Sequence, residues 1–249
     1  MKNKIFLTII LSVLMGNIFS FNFNEQLKFK IKYGIISAGE ATLSVKDSVM
    51  YKGKKCVKFI STTRTNSSFD HIFKVRDFTE STWDPEKKIS YKYSKKLNEG
   101  KYHQYRIHLY YQNIKASYYL RYSFKKNKFK QTRMDIPGNT QDVLSAFYSV
   151  REKKLIPGKK IVVNVTVDGV NYPATILVHK IVKLKTIYGK IECIPIEPLL
   201  QSEAVFKQNG KILIYLTNDD YKLPVLLESK VIFGSFKAVL VEAKNVPYK

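Results

Sequence analysis

Little in this chain is spaced for catalysis. Its four histidines, His71, His103, His108 and His179, show neither HxH nor HExxH spacing, and metal sites need ligands at such fixed offsets. His103 and His108 differ by five, which sends them to opposite faces of a strand. Ser235 follows Gly234 in an alternating run, not in the G-x-S-x-G elbow that exposes a nucleophile. No Walker loop or G-x-G-x-x-G offers a phosphate cradle. Asn218, Asp219 and Asp220 read as turn chemistry more readily than as a cation site. Asp70, Arg76 and Asp77, set among Phe69, Phe73 and Phe78, read as a salt bridge at the end of a sheet. The expectation is a non-enzyme with no catalytic residue, no metal and no cofactor.

The N-terminus carries an address. Lys2 and Lys4 precede the apolar run Ile5 to Met15, then Gly16 and Asn17 break it and Ser20 is a small residue for cleavage. The run is too short to span hydrocarbon, which takes about 20 residues. Residues 1–20 are therefore predicted to be a signal peptide, and 21–249 a single exported domain of the periplasm or cell envelope. No later stretch is apolar enough for a membrane span. Cys56 and Cys193 would face an oxidising compartment. Paired, they would close a loop worth roughly 4–5 kcal/mol in the chain-entropy model. Each sits in an apolar run and reads equally well as a small buried residue.

The formal net charge is +23. An exported cationic protein is drawn to anionic lipid headgroups or envelope polymers, and export disfavours nucleic acid as a partner. The densest run is Lys125, Lys126, Lys128, Lys130 and Arg133. It is a candidate anionic-surface site, with a solvated lysine-rich face as the plain alternative.

Period-two alternation dominates what remains. His103–Tyr111 and Ala116–Phe124 alternate apolar and polar residues on either side of residues 112–115, a hairpin with one wet face. Ile161 to Val167 and Val170 to Val178 flank Asp168-Gly169, which tolerates the positive φ of a type I′ turn. Pro173 suggests an edge or bulge. Only one mature segment reads clearly as a helix: Asn139 or Thr140 caps it, and Val143, Leu144, Phe147, Tyr148 and Arg151 recur at helical spacing. A second short helical stretch is expected over residues 67–73. Tyr33-Gly34, Tyr188-Gly189 and Phe233-Gly234 each precede an alternating run, a faint echo suggesting two similar β halves. The fold class is mainly β: a curved antiparallel sheet, or open half-barrel, with one central α-helix.

Four segments carry a resemblance. Tyr33 to Thr42, Phe69 to Asp84 with Trp83-Asp84-Pro85, Asn139 to Tyr148, and Leu216 to Leu240 with Asp219-Asp220 and Pro224 together resemble a bacterial exported family, domain of unknown function 3108. The resemblance implies an envelope protein of YmcC-like fold, distantly similar to the lipoprotein carriers LolA and LolB, in which a half-barrel shelters acyl chains. It brings no catalytic residues. On that analogy, a lipid or other amphiphile would bind between sheet and helix. Val143, Leu144, Phe147 and Tyr148 would lie on one side, with Tyr105, Tyr118 and Tyr122 of the central hairpin opposite. The same residues serve equally well as a filled core. The alternative role is an assembly factor for the envelope or a surface polysaccharide, bound to an anionic polymer or a protein partner.

Overall fold

The computed structural model describes residues 19–199, 211–230 and 235–246. Most of the expected leader, and Phe233-Gly234, lie outside them. Two runs of strands flank a central helix. The first comprises β1 (Gln26–Tyr33), β2 (Ile36–Tyr51), β3 (Lys54–Thr65), β4 (Arg76–Asp84), β5 (Ile89–Glu99), β6 (Tyr102–Tyr111), β7 (Ala116–Ser123) and β8 (Lys128–Asp135), with a single-turn α1 (Ser67–Asp70) between β3 and β4. After α2 (Val143–Arg151) come β9 (Lys160–Val167), β10 (Val170–Val178), β11 (Val182–Thr186), β12 (Gly189–Leu199), β13 (Ile212–Thr217), β14 (Pro224–Lys230) and β15 (Ser235–Lys244).

All fifteen strands belong to one antiparallel sheet, ordered β8-β7-β6-β5-β4-β3-β2-β1-β15-β14-β13-β12-β10-β9, with β11 attached to β12. The two runs are joined by β1 and β15, which pair from Gln26↔Lys244 to Tyr33↔Phe236. The sheet curls without closing into a barrel. Tyr93, Tyr110 and Ile136 from its first end share one core cluster with Val163, Val165, Val167 and Ile176 from its last. The Asp168-Gly169 turn reaches across the curl, and its Gly169 N–H donates to His108 Nε2 at 3.2 Å.

Local sequence explains the strongest elements. Val167 pairs with Val170 across Asp168-Gly169, both of positive φ, as a type I′ turn requires. Pro173 pairs with Asn164 of β9, and among the described residues β12 reaches β10 no further than Thr175, in keeping with a proline at a sheet edge. Helix α2 starts later than Asn139 or Thr140. Asp142 is its N-cap, in a capping box with Ser145.

Cys56 and Cys193 are buried free thiols on β3 and β12, so the pairing left open by the sequence is not made. β3 is paired to β2 and β4, and β12 to β10, β11 and β13. Cys193 packs in a core cluster with Leu27, Leu223 and Leu240. Burial raises both thiols to about 11. Among the described residues no helix is long and apolar enough to cross a membrane.

Candidate functional site

The candidate site is the hollow between α2 and the inner face of the sheet. Helix α2 is fixed at both ends. At its N-terminus the buried Asp142 carboxylate accepts from Ser145 N–H at 3.0 Å, Ser81 Oγ at 2.5 Å and Ser90 Oγ at 2.8 Å. Burial raises its pKa, against the pull of these donors. At the other end Arg151 and Glu25, both wholly buried, form an ion pair of 2.7 Å. Arg151 also donates to the carbonyls of Ser20, at 2.8 Å, and Tyr221, at 3.1 Å. Residues from the beginning, middle and end of the chain thus converge on one guanidinium, which a planar five-donor group can satisfy. Phe19, at the end of the expected leader, packs on Phe21 and Trp83.

With the helix fixed, one side of it borders a half-open cavity of about 620 Å³. Val143, Leu144 and Phe147 face it from α2. Phe29 and Ile31 of β1, Ala41 and Leu43 of β2, Leu227 of β14 and Ala238 of β15 form the facing wall. The walls are mostly apolar, with Ser61, Thr63 and Ser229 among them, and the carboxyls of Asp77 and Glu99 adjoin at the rim, whereas the side chains of Arg64 and Lys237 pair with Glu40 and Glu228. At that rim burial raises the pKa of Asp77. Burial, and then the neighbouring Asp77 carboxylate, raise that of Glu99. The two carboxyls therefore hold protons more tightly than exposed acids, as like charges at close range do. Asp70 and Arg76 form a separate bidentate pair at 3.0 and 2.6 Å, which holds Asp70 down at about 2.

The predicted lining residues divide. Val143, Leu144 and Phe147 share the cavity face. Tyr148 instead stacks on Phe59 at 3.9 Å between ring centroids and is buried beside Phe21 and Trp83. Tyr105, Tyr118 and Tyr122 are not in the cavity wall. Tyr105 and Tyr122 gather with Phe129 in an aromatic group on the other face of the sheet, and Tyr118 packs against Tyr111. On this hairpin it is the face bearing His108, Tyr110 and Ser117 that is buried. The physical reason is the turn at Asp168-Gly169, which offers polar partners to that face. Sequence reasoning missed the wall supplied by β1, β2, β14 and β15, whose small Ala41 and Ala238 leave the space open. Lys125, Lys126, Lys128, Lys130 and Arg133 all lie exposed on the β7–β8 hairpin. Among the described residues no three His, Cys, Asp or Glu side chains converge to hold a metal ion.

A continuous curled sheet around one helix and an apolar hollow defines a β-barrel-like class of protein. The chain belongs to the DUF3108 family of proteins of unknown function, whose model matches residues 28–241. Among solved structures it is similar to a β-barrel-like protein of the domain of unknown function DUF1849 from Brucella abortus. That likeness has a TM-score of 0.61 at 11% identity, covering 89% of this chain and 97% of that one. A candidate exported protein of YmcC-like fold from Bacteroides fragilis matches over 90% and 97%, at 10% identity and a TM-score of 0.33. No curated protein matches the chain.

Proposed function

We propose that this chain is an exported, non-enzymatic envelope protein that carries a lipid-like amphiphile, its apolar part lodged between α2 and the sheet. The observation supporting this is the cavity. Protein interiors leave few voids larger than a water molecule, whereas 300–1,000 Å³ is typical of small-molecule sites. At about 620 Å³, with mostly apolar walls and the carboxyls of Asp77 and Glu99 in its lining, the hollow suits a largely apolar ligand with a polar end. Mass spectrometry of an organic extract of the natively purified protein tests the reading, with a near-stoichiometric amphiphile expected. Ala41→Trp, which puts an indole into the cavity, is expected to lower retained ligand about tenfold, or ~1.4 kcal/mol. No co-purifying lipid, and no uptake of a fluorescent fatty acid by the wild type, would refute it.

Export over residues 1–20 is part of the same proposal. Cleavage after Ser20 would take Phe19 and the Ser20 carbonyl out of the packing described above. The intact mass of the exported chain tells whether the cut falls there or upstream, and an uncut chain retained in the cytosol would overturn it. A second reading, an assembly factor that grips an anionic envelope polymer, is favoured by one observation. The five bases of the β7–β8 hairpin are exposed on an edge of the sheet.

A further inference from the structure

The register of β5 to β8 sets Lys95 opposite Arg106, Arg106 opposite Arg121, and Arg121 opposite Lys130. Directly opposed residues of antiparallel strands point to the same face with Cβ atoms ~4.5–5.5 Å apart. Four cations therefore form a row ~14 Å long, three strand spacings of ~4.8 Å. They share their face with His108 and Tyr110, so the row lies on the inner side of the curl. Like charges so placed destabilise a sheet, and among the described residues one carboxylate offsets them: Asp168 Oδ2, 2.5 Å from Lys95 Nζ. The side chains of Arg106, Arg121 and Lys130 have no hydrogen-bond or ion-pair partner among the described residues, and Arg106 Nε is buried unsatisfied.

Beside this row a pocket of about 190 Å³ opens between β7, β8 and the β9–β10 turn, walled by Arg121, Lys130, Tyr119, Thr132, Asp168 and Gly169. Tyr119 stacks on His108 at 4.5 Å between centroids and abuts Gly169, which fixes where its hydroxyl points. The hydroxyls of Tyr119 and Thr132 are likewise unpartnered. We propose that the row is a binding site for a phosphate-class oxyanion. Such a group carries more than one negative charge and several acceptor oxygens. It would satisfy guanidinium forks, an ammonium and neutral hydroxyls together, and cancel the repulsion along the row. This proposal does not depend on the large cavity, and either can fail alone.

Isothermal titration at about 0.15 M ionic strength, where screening falls to ~8 Å, tests it, with inorganic pyrophosphate in one arm and monomeric dihexanoyl phosphatidate in the other. Binding in either arm is expected, and Arg121→Glu and Arg106→Gln should each weaken it about tenfold or more, while Lys125→Glu on the hairpin tip changes it less than about twofold. Comparable binding in both arms assigns a free phosphate group. Binding of phosphatidate alone assigns a lipid headgroup. Arg121→Glu relieves like-charge repulsion, so its melting temperature should rise, and thermal unfolding confirms that lost binding is not lost folding. No binding in either arm, or an equal loss in Lys125→Glu, overturns the site.

Discussion

Replacing Arg151 with Met tests whether the buried guanidinium fixes the chain around α2. Arg151 and Glu25 are both fully buried, and removing one partner of such a pair strands a charge, at a cost of about 3–5 kcal/mol. A kilocalorie lowers the melting temperature of a domain of this size by roughly 2–4 °C, so a loss of about 6–20 °C is expected. Glu25→Leu should cost a similar amount. The double variant should cost well under the sum of the two, since no buried charge is left. What remains is the loss of a partner for the Tyr221 carbonyl, and for that of Ser20 where the cut falls upstream, about 1–3 kcal/mol for an unsatisfied buried group. Thermal and urea unfolding of the four proteins measures this as a double-mutant cycle. Additive single effects, or a loss below about 1 kcal/mol in Arg151→Met, would refute the idea that one ion pair couples these distant segments.

Two further outcomes are expected. A Cβ at Gly39 would collide with the Arg64 carbonyl oxygen of the neighbouring strand, so Gly39→Ala should cost about 1–3 kcal/mol or more, read from the urea midpoint. Burial pushes His108 down to about 4 from 6.5. Above pH 6.5 the imidazole is neutral whether folded or unfolded, but between 6.5 and 4 the unfolded chain binds the proton first. Stability should therefore fall by up to about 3 kcal/mol across that window. His108→Gln, which keeps an acceptor for Gly169 N–H, should flatten that part of the stability–pH curve, and an unchanged slope would contradict the assignment.

Local signals proved readable, and facing did not. Asp168-Gly169 announced its turn because that backbone needs residues tolerant of positive φ, and α2 announced itself by its spacing. The alternation in β6 and β7 was equally plain, yet period two is the same for both faces of a strand. The apolar set with Tyr105 and Tyr118 reads as the inward one until the Asp168-Gly169 turn is seen to meet His108. On α2, Val143, Leu144 and Phe147 reach the hollow, whereas Tyr148 is rotated about 100° further round and meets Phe59. The opposite wall joins residues near positions 30 and 238, a juxtaposition no local window contains. Gly34 and Gly189, part of the faint echo, have positive φ and open space around them. The close approach belongs to Gly39.

Pairing β1 with β15 carries a consequence for biosynthesis. Residue 26 finds its partner at residue 244, so the seam of the sheet cannot form until nearly all of the chain has left the ribosome. Contacts of such long range are slow to make, because loop-closure entropy is spent before they repay it. Until then Leu27, Phe29 and Leu240, the seam residues of the core cluster around Cys193, lack their partners.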